Sequence, residues 1–149
     1  MPTLLIDTNV LVLMFVGVWD RDFIAHFRRT DQYKPKDFDL LQSQIAAYPS
    51  LVTTAGVLTE VSNLMGNYHL DIAHTIQDWG SRLKERFRSK DEILADPAFD
   101  RLGFADCSIL AALDEDTTVL TDDVPLYLEV LSRGRLVINF SHVRRSESR

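Results

Sequence analysis

Positive charge, cysteine and long apolar runs are all scarce in this 149-residue chain. Lys and Arg number 16 against 22 Asp and Glu, a formal net charge of -6. Proteins that hold nucleic acid chiefly by coating its phosphates are basic. Any such partner here therefore needs a local basic patch, a bound cation or a basic companion to offset the repulsion. Cys107 is the single cysteine, which excludes an internal disulfide. A reducing, cytoplasmic compartment is the corresponding expectation. The longest apolar run, Val10 to Trp19, contains Gly17 and is far shorter than the roughly 20 residues of a membrane span. The opening MPTLLIDTN has no basic n-region and no small-residue cleavage site, so a secretory signal is not expected. Repeats, low-complexity tracts and obvious linkers are missing as well.

What remains is an ordinary globular composition, 46% apolar and 26% charged, on a length that suits one domain with its own core. The expected domain covers residues 1–141, and HVRRSESR, residues 142–149, reads as a flexible tail. TLLID, SLVTT, TTVLT and RLVINF read as short strands. Helical spacing appears in NVLVLMFVGVW, DRDFIAHFRR, KDFDLLQSQIAAY, AGVLTEVSNLMG, ADCSILAALDE and VPLYLEVLSRG. DIAHTIQDWGSRLKERF carries the most regular stripe, Ile72, Ile76, Trp79, Leu83 and Phe87, with Asp71 as a cap and Trp79 and Phe87 as core. RSKDEILADPAFDRLGF is ambiguous because Pro97 interrupts it. Strands alternating with helices predict an α/β fold, a parallel sheet sandwiched between helices.

Several carboxylates sit where burial is expected. Asp7 follows an apolar strand, at the end of a parallel strand where ligands bind; the competing reading is a plain helix cap. Asp106 shares its helical stripe with Ile109, Leu110 and Leu113. Burying a carboxylate there costs several kcal/mol unless it is paired, hydrogen-bonded or metal-bound. The helix dipole returns only about 0.3 to 1 kcal/mol. Glu60 flanks another stripe, with Asn63 three residues on, and by itself would simply reach for water. Asp122 and Asp123 repeat the arrangement of Asp7 after the strand ending at Thr121, although Asp123 and Pro125 also suit a helix start. If the strands are neighbours, these acids converge at one sheet edge, and like charges that close need a cation. Oxygen ligands without Cys or His select Mg²⁺ or Mn²⁺, which points to phosphoryl-transfer or phosphodiester chemistry.

LLIDTNVL, VLTEVSNL, GFADCSILAAL and VLTDDVPLY, in that order, resemble the motifs of the PIN-domain nucleases, and among them the VapC-type toxins of toxin–antitoxin pairs. The resemblance implies a parallel sheet between helices, the acidic quartet Asp7, Glu60, Asp106 and Asp123, and support from Asn9, Thr121 and Asp122. It further implies one or two Mg²⁺ or Mn²⁺ ions, an RNA substrate, an antitoxin protein as partner and a homodimer. The Asp122–Asp123 doublet leaves the fourth ligand open, with Asp123 matching the T-x-D spacing and Asp122 as its support. The stretch between Asp7 and Glu60 is long for a compact toxin. The alternatives are a catalytically inactive PIN-like module binding RNA or protein, and a metal-dependent phosphatase for small phosphoesters.

Two basic runs, Arg28, Arg29, Lys34 and Lys36, and Arg82, Lys84, Arg86, Arg88 and Lys90, could steer RNA or simply face water. Cys107 reads as a buried structural thiol, and the four histidines show no ligand spacing.

Overall fold

The computed structural model describes residues 1–147. Strands β1 (Thr3–Ile6), β2 (Ser50–Thr53), β3 (Lys84–Glu85), β4 (Thr117–Thr121) and β5 (Leu136–Asn139) form one sheet in the order β3-β2-β1-β4-β5. Every pairing is parallel. The helices are α1 (Thr8–Trp19), α2 (Pro35–Ala46), α3 (Ala55–Met65), α4 (His69–Gly80), α5 (Lys90–Leu94), α6 (Phe99–Ala112), α7 (Val124–Ser132) and α8 (Phe140–Glu147). The chain runs outward from β1 to β3, then crosses to β4 on the other side of β1. Right-handed crossovers then place α1 to α4 over one face and α5 to α7 over the other. This is the α/β sandwich that the alternating pattern predicts. Among the described residues no helix is long and apolar enough to cross a membrane.

β1 is the central strand, and Leu4, Leu5 and Ile6 are buried on both its faces. α1 is buried almost all round because α2, α3 and α4 pack against it beyond the sheet. A methyl group on Gly17 would come within 2.2 Å of the Phe38 ring, so this glycine is what lets α2 lie against α1.

Four stretches differ from expectation. The regular stripe after Asp71 does not stay helical: α4 begins at His69 and ends at Gly80, with Asp71 in its first turn and not at its cap. Glycine is a poor helix former, and edge pairing of Val52 with Lys84 draws the following residues into the sheet. Trp79 packs edge-on against Phe15, 5.9 Å between ring centres, whereas Phe87 is 75% exposed, not core. DRDFIAHFRR makes only a 3-10 turn, Arg21–Ala25, and its Phe23 and Phe27 stack with each other and meet Tyr68 edge-on. The ambiguous segment around Pro97 forms α5 and the start of α6. Most of the expected tail is helical and docked as α8: Phe140 is buried, and Arg144 donates to the Gln32 carbonyl at 3.0 Å and pairs with Asp37 at 3.2 Å. Ser148 and Arg149 lie outside the described residues.

Candidate metal centre

β1 and β4 are neighbours in register, Ile6 beside Leu120, so the turns carrying Asp7 and Asp122–Asp123 leave the sheet side by side. The strand order reverses at this point, the place where open α/β sheets bind ligands. The Asp7 amide continues the ladder by donating to the Leu120 carbonyl at 2.9 Å. The Thr121 hydroxyl then joins the two turns. It donates to Asp7 Oδ2 at 2.6 Å and accepts the Asp123 amide at 3.0 Å. Asp7 Oδ1 accepts the Thr8 amide at 2.7 Å, so Asp7 is also a helix cap, as the simpler reading held.

Asp106 arrives from the other side of the sheet. α6 is broken at Gly103, whose φ of 83° is open to glycine and strained for other residues. The second half of the helix then sets off in a new direction and carries Asp106 to the sheet edge. A hydrogen bond of 2.7 Å between the Thr54 and Ser108 hydroxyls ties the start of α3 to α6 just beyond it. Asp7, Asp106 and Asp123 each offer an oxygen, and these oxygens lie within 4.8 Å of one another. Asp7 is buried and the other two are half-buried.

The electrostatics follow from this crowding. Burial pushes the Asp7 carboxyl up to about 6, with Asp123 and Asp122 adding to the effect and the bonds from Thr121 and Thr8 opposing it. Burial, then the charges of Asp7, Asp123 and Glu60, push Asp106 up to about 7. Thr8 Oγ1, beside Asp7, is buried without a hydrogen-bond partner among the described residues. Three carboxylate oxygens with no sulfur or imidazole among them make a donor set suited to a hard divalent cation.

Of the sequence-predicted acids, then, three come together and two stand apart. Glu60 is exposed on α3 and outside the compact triad. Its charge still reaches Asp106, and it lines a shallow cleft with Asn63, Phe104 and Ala105. The doublet divides: Asp123 joins the triad, while Asp122 receives the Tyr33 hydroxyl and the Asn9 side chain. Burial raises the Asp122 carboxyl, and Arg144 draws it the other way. Sequence reasoning missed Tyr33 and Arg144. Tyr33 is fully buried, and the Arg144 guanidinium lies 4.8 Å from its ring centre. Neither carries a local signal, because each meets its partners across most of the chain.

No family model, curated protein or solved structure matches the chain. Its class is defined by fold and site: an α/β protein with a three-carboxylate cluster at the point where a parallel sheet reverses its strand order.

Proposed function

We propose that the chain is a Mg²⁺- or Mn²⁺-dependent endoribonuclease of PIN type, the toxin of a type II toxin–antitoxin pair. The observation that carries this reading is the convergence of Asp7, Asp106 and Asp123 at the β1–β4 edge, from three separate parts of the chain. These residues would hold the ion, which supplies a water of lowered pKa and neutralises charge on the attacked phosphate. The rest is the work of the chain. Thr121 and the Thr8 amide fix both oxygens of Asp7, so a ligand there needs little reorganisation. Thr121 also fixes the backbone that presents Asp123. Asp106, whose carboxyl titrates near neutrality, can hold or release a proton at the rim. Glu60 adds negative charge on the side open to solvent. The antitoxin and the homodimer rest on the sequence resemblance alone.

Incubating the purified chain with single-stranded and structured RNAs in Mn²⁺ or Mg²⁺ tests the reading. Cleavage should stop on adding EDTA and in Asp7→Asn. Cleavage that survives either change rules out the mechanism. The exposed position of Glu60 favours a second reading, a PIN-like module that binds without cutting. Calorimetric titration separates the two, since the second predicts no uptake of millimolar Mn²⁺.

A further inference from the structure

The folding of the expected tail into α8 has a consequence away from the triad. Arg144 and Arg145, near the end of the chain, come to lie beside Lys34 and Lys36 at the start of α2. Together with Ser141 and Asp37 these four cations line an open cleft of about 260 Å³. Asp37 is the single carboxylate in the lining, and it is buried and already engaged. Its Oδ2 accepts the Lys34 amide at 2.8 Å and pairs with Arg144 at 3.2 Å. Lys34, Lys36 and Arg145 are exposed, and among the described residues none of them pairs with a carboxylate. A chain of net charge -6 thus concentrates unneutralised positive charge in one concavity.

The place of this cleft matters as much as its charge. Lys34 follows Tyr33, whose hydroxyl donates to Asp122, and Asp122 precedes Asp123 of the triad. Arg144 lies over the ring of that same tyrosine. The cleft and the acidic cluster are therefore joined by one buried side chain. The adjoining cleft contains Asp39 and Glu147, which confines the positive side to Lys34, Ser141 and Arg145. An acidic site repels the strand it is to act on, and a nearby cationic seat offsets that repulsion.

We infer that the cleft between α2 and α8, lined by Lys34, Lys36, Arg144 and Arg145, seats a backbone phosphate of a single-stranded RNA, set back along the strand from the phosphate at the triad. The inference rests on the ribonuclease reading for the identity of the strand. The cations give no base contact, so the seat positions the strand without reading its sequence. It also gives the stretch between Asp7 and Glu60 a function, since that stretch supplies Tyr33, Lys34 and Lys36.

The test measures fluorescence anisotropy of a labelled single-stranded RNA oligonucleotide across a range of salt concentrations. An Asp106→Asn background in Mg²⁺ prevents cleavage. Adding Lys34→Ala with Arg145→Ala should flatten the plot of log affinity against log salt by about 1.4, at about 0.7 for each lost phosphate contact on a single strand. Arg88→Ala with Lys90→Ala removes the same charge from the other basic run and should leave the slope unchanged. Ser141→Glu places a negative charge in the cleft without deleting a cation, and should weaken binding as well. Equal flattening by both alanine pairs, or no RNA binding at low salt, overturns the inference. So does inorganic phosphate competing as well as a second oligonucleotide does, which would make the free anion the ligand. Cleavage by the unmodified chain in Mn²⁺ is scored separately. A chain that binds through the cleft but does not cut sinks the nuclease reading and spares this one; one that cuts with an indifferent slope does the reverse.

Discussion

The turns after β1 and β4 look alike in sequence, an apolar strand followed at once by Asp, yet the structure uses them differently. The first turn has one carboxylate, buried, with both oxygens hydrogen-bonded by protein. The second has two half-buried carboxylates that point to different partners, Asp123 to the triad and Asp122 to Tyr33 and Asn9. A single acid in the first turn must serve as helix cap and as member of the cluster. A doublet in the second turn separates the two duties, one acid for the cluster and one for bracing the segment before α2. Burial is the difference that sets the energetics, because it is the largest cause of the raised Asp7 carboxyl.

The sharpest way to break this comparison is to neutralise each turn in turn. Asp7→Asn should remove cleavage by a hundredfold or more, and Asp123→Asn should do likewise, both read as kcat/KM on an RNA substrate. Stability should separate them. With EDTA at pH 8, Asp7→Asn should raise the free energy of unfolding by up to about 3 kcal/mol, the worth of a two-unit upward shift, and Asp123→Asn by much less. Equal gains would show that the burial contrast between the turns does not govern their energetics.

The pH dependence sharpens the same point. Asp7 and Asp106 have folded-state values of about 6 and about 7, above the ordinary 3.8. The folded chain therefore binds more protons than the unfolded chain across that window, and stability falls as pH rises from about 4 to about 7. Below that window both states are protonated at these sites and nothing is lost. A divalent ion favours the ionised carboxylates, so Mn²⁺ should abolish the fall. Melting temperatures from pH 4 to 8, with EDTA and with Mn²⁺, check this. An Asp7→Asn, Asp106→Asn double variant should flatten the metal-free curve, since it removes the groups responsible.

Much of this was legible before any coordinates. The strand–helix alternation gave the sheet and its direction, because a strand buried on both faces, such as Leu4 to Ile6, leaves a run of apolar residues with no alternation. Asp7, Asp106 and Asp123 stood out as carboxylates against apolar runs. Glu60 was harder: a carboxylate at a stripe edge looks the same whether it reaches a cluster or faces water. Edge strand β3 was missed because two residues, Lys84 and Glu85, carry no period of their own, and pairing with β2 overrides the helical stripe. α8 was missed because its polar sequence resembles a tail, and its anchor is a set of contacts with residues more than a hundred positions earlier, such as Arg144 with Gln32.

Thr121 joins the two turns, and its removal should affect both. Thr121→Val keeps the shape but leaves Asp7 Oδ2 and the Asp123 amide without this partner. A buried group stripped of its partner costs about 1 to 3 kcal/mol, measurable by denaturant titration. Loss of the group that orients a ligand should weaken Mn²⁺ binding by about 10- to 100-fold, measurable by calorimetry. A variant with normal metal affinity would mean that the turns hold their geometry independently.

The smallest effect belongs to the bracing side of the doublet. Tyr33→Phe deletes the hydroxyl that donates to Asp122 and leaves the buried ring in place. Asp122 keeps the Asn9 side chain and the favourable charge of Arg144, so the loss should be about 1 kcal/mol. Cleavage should fall no more than a few-fold, because Asp123 and its tie to Thr121 are untouched. Cleavage reduced as far as in Asp123→Asn would erase the division of duties within the doublet. It would place Asp122, and not Asp123 alone, among the groups that the reaction depends on.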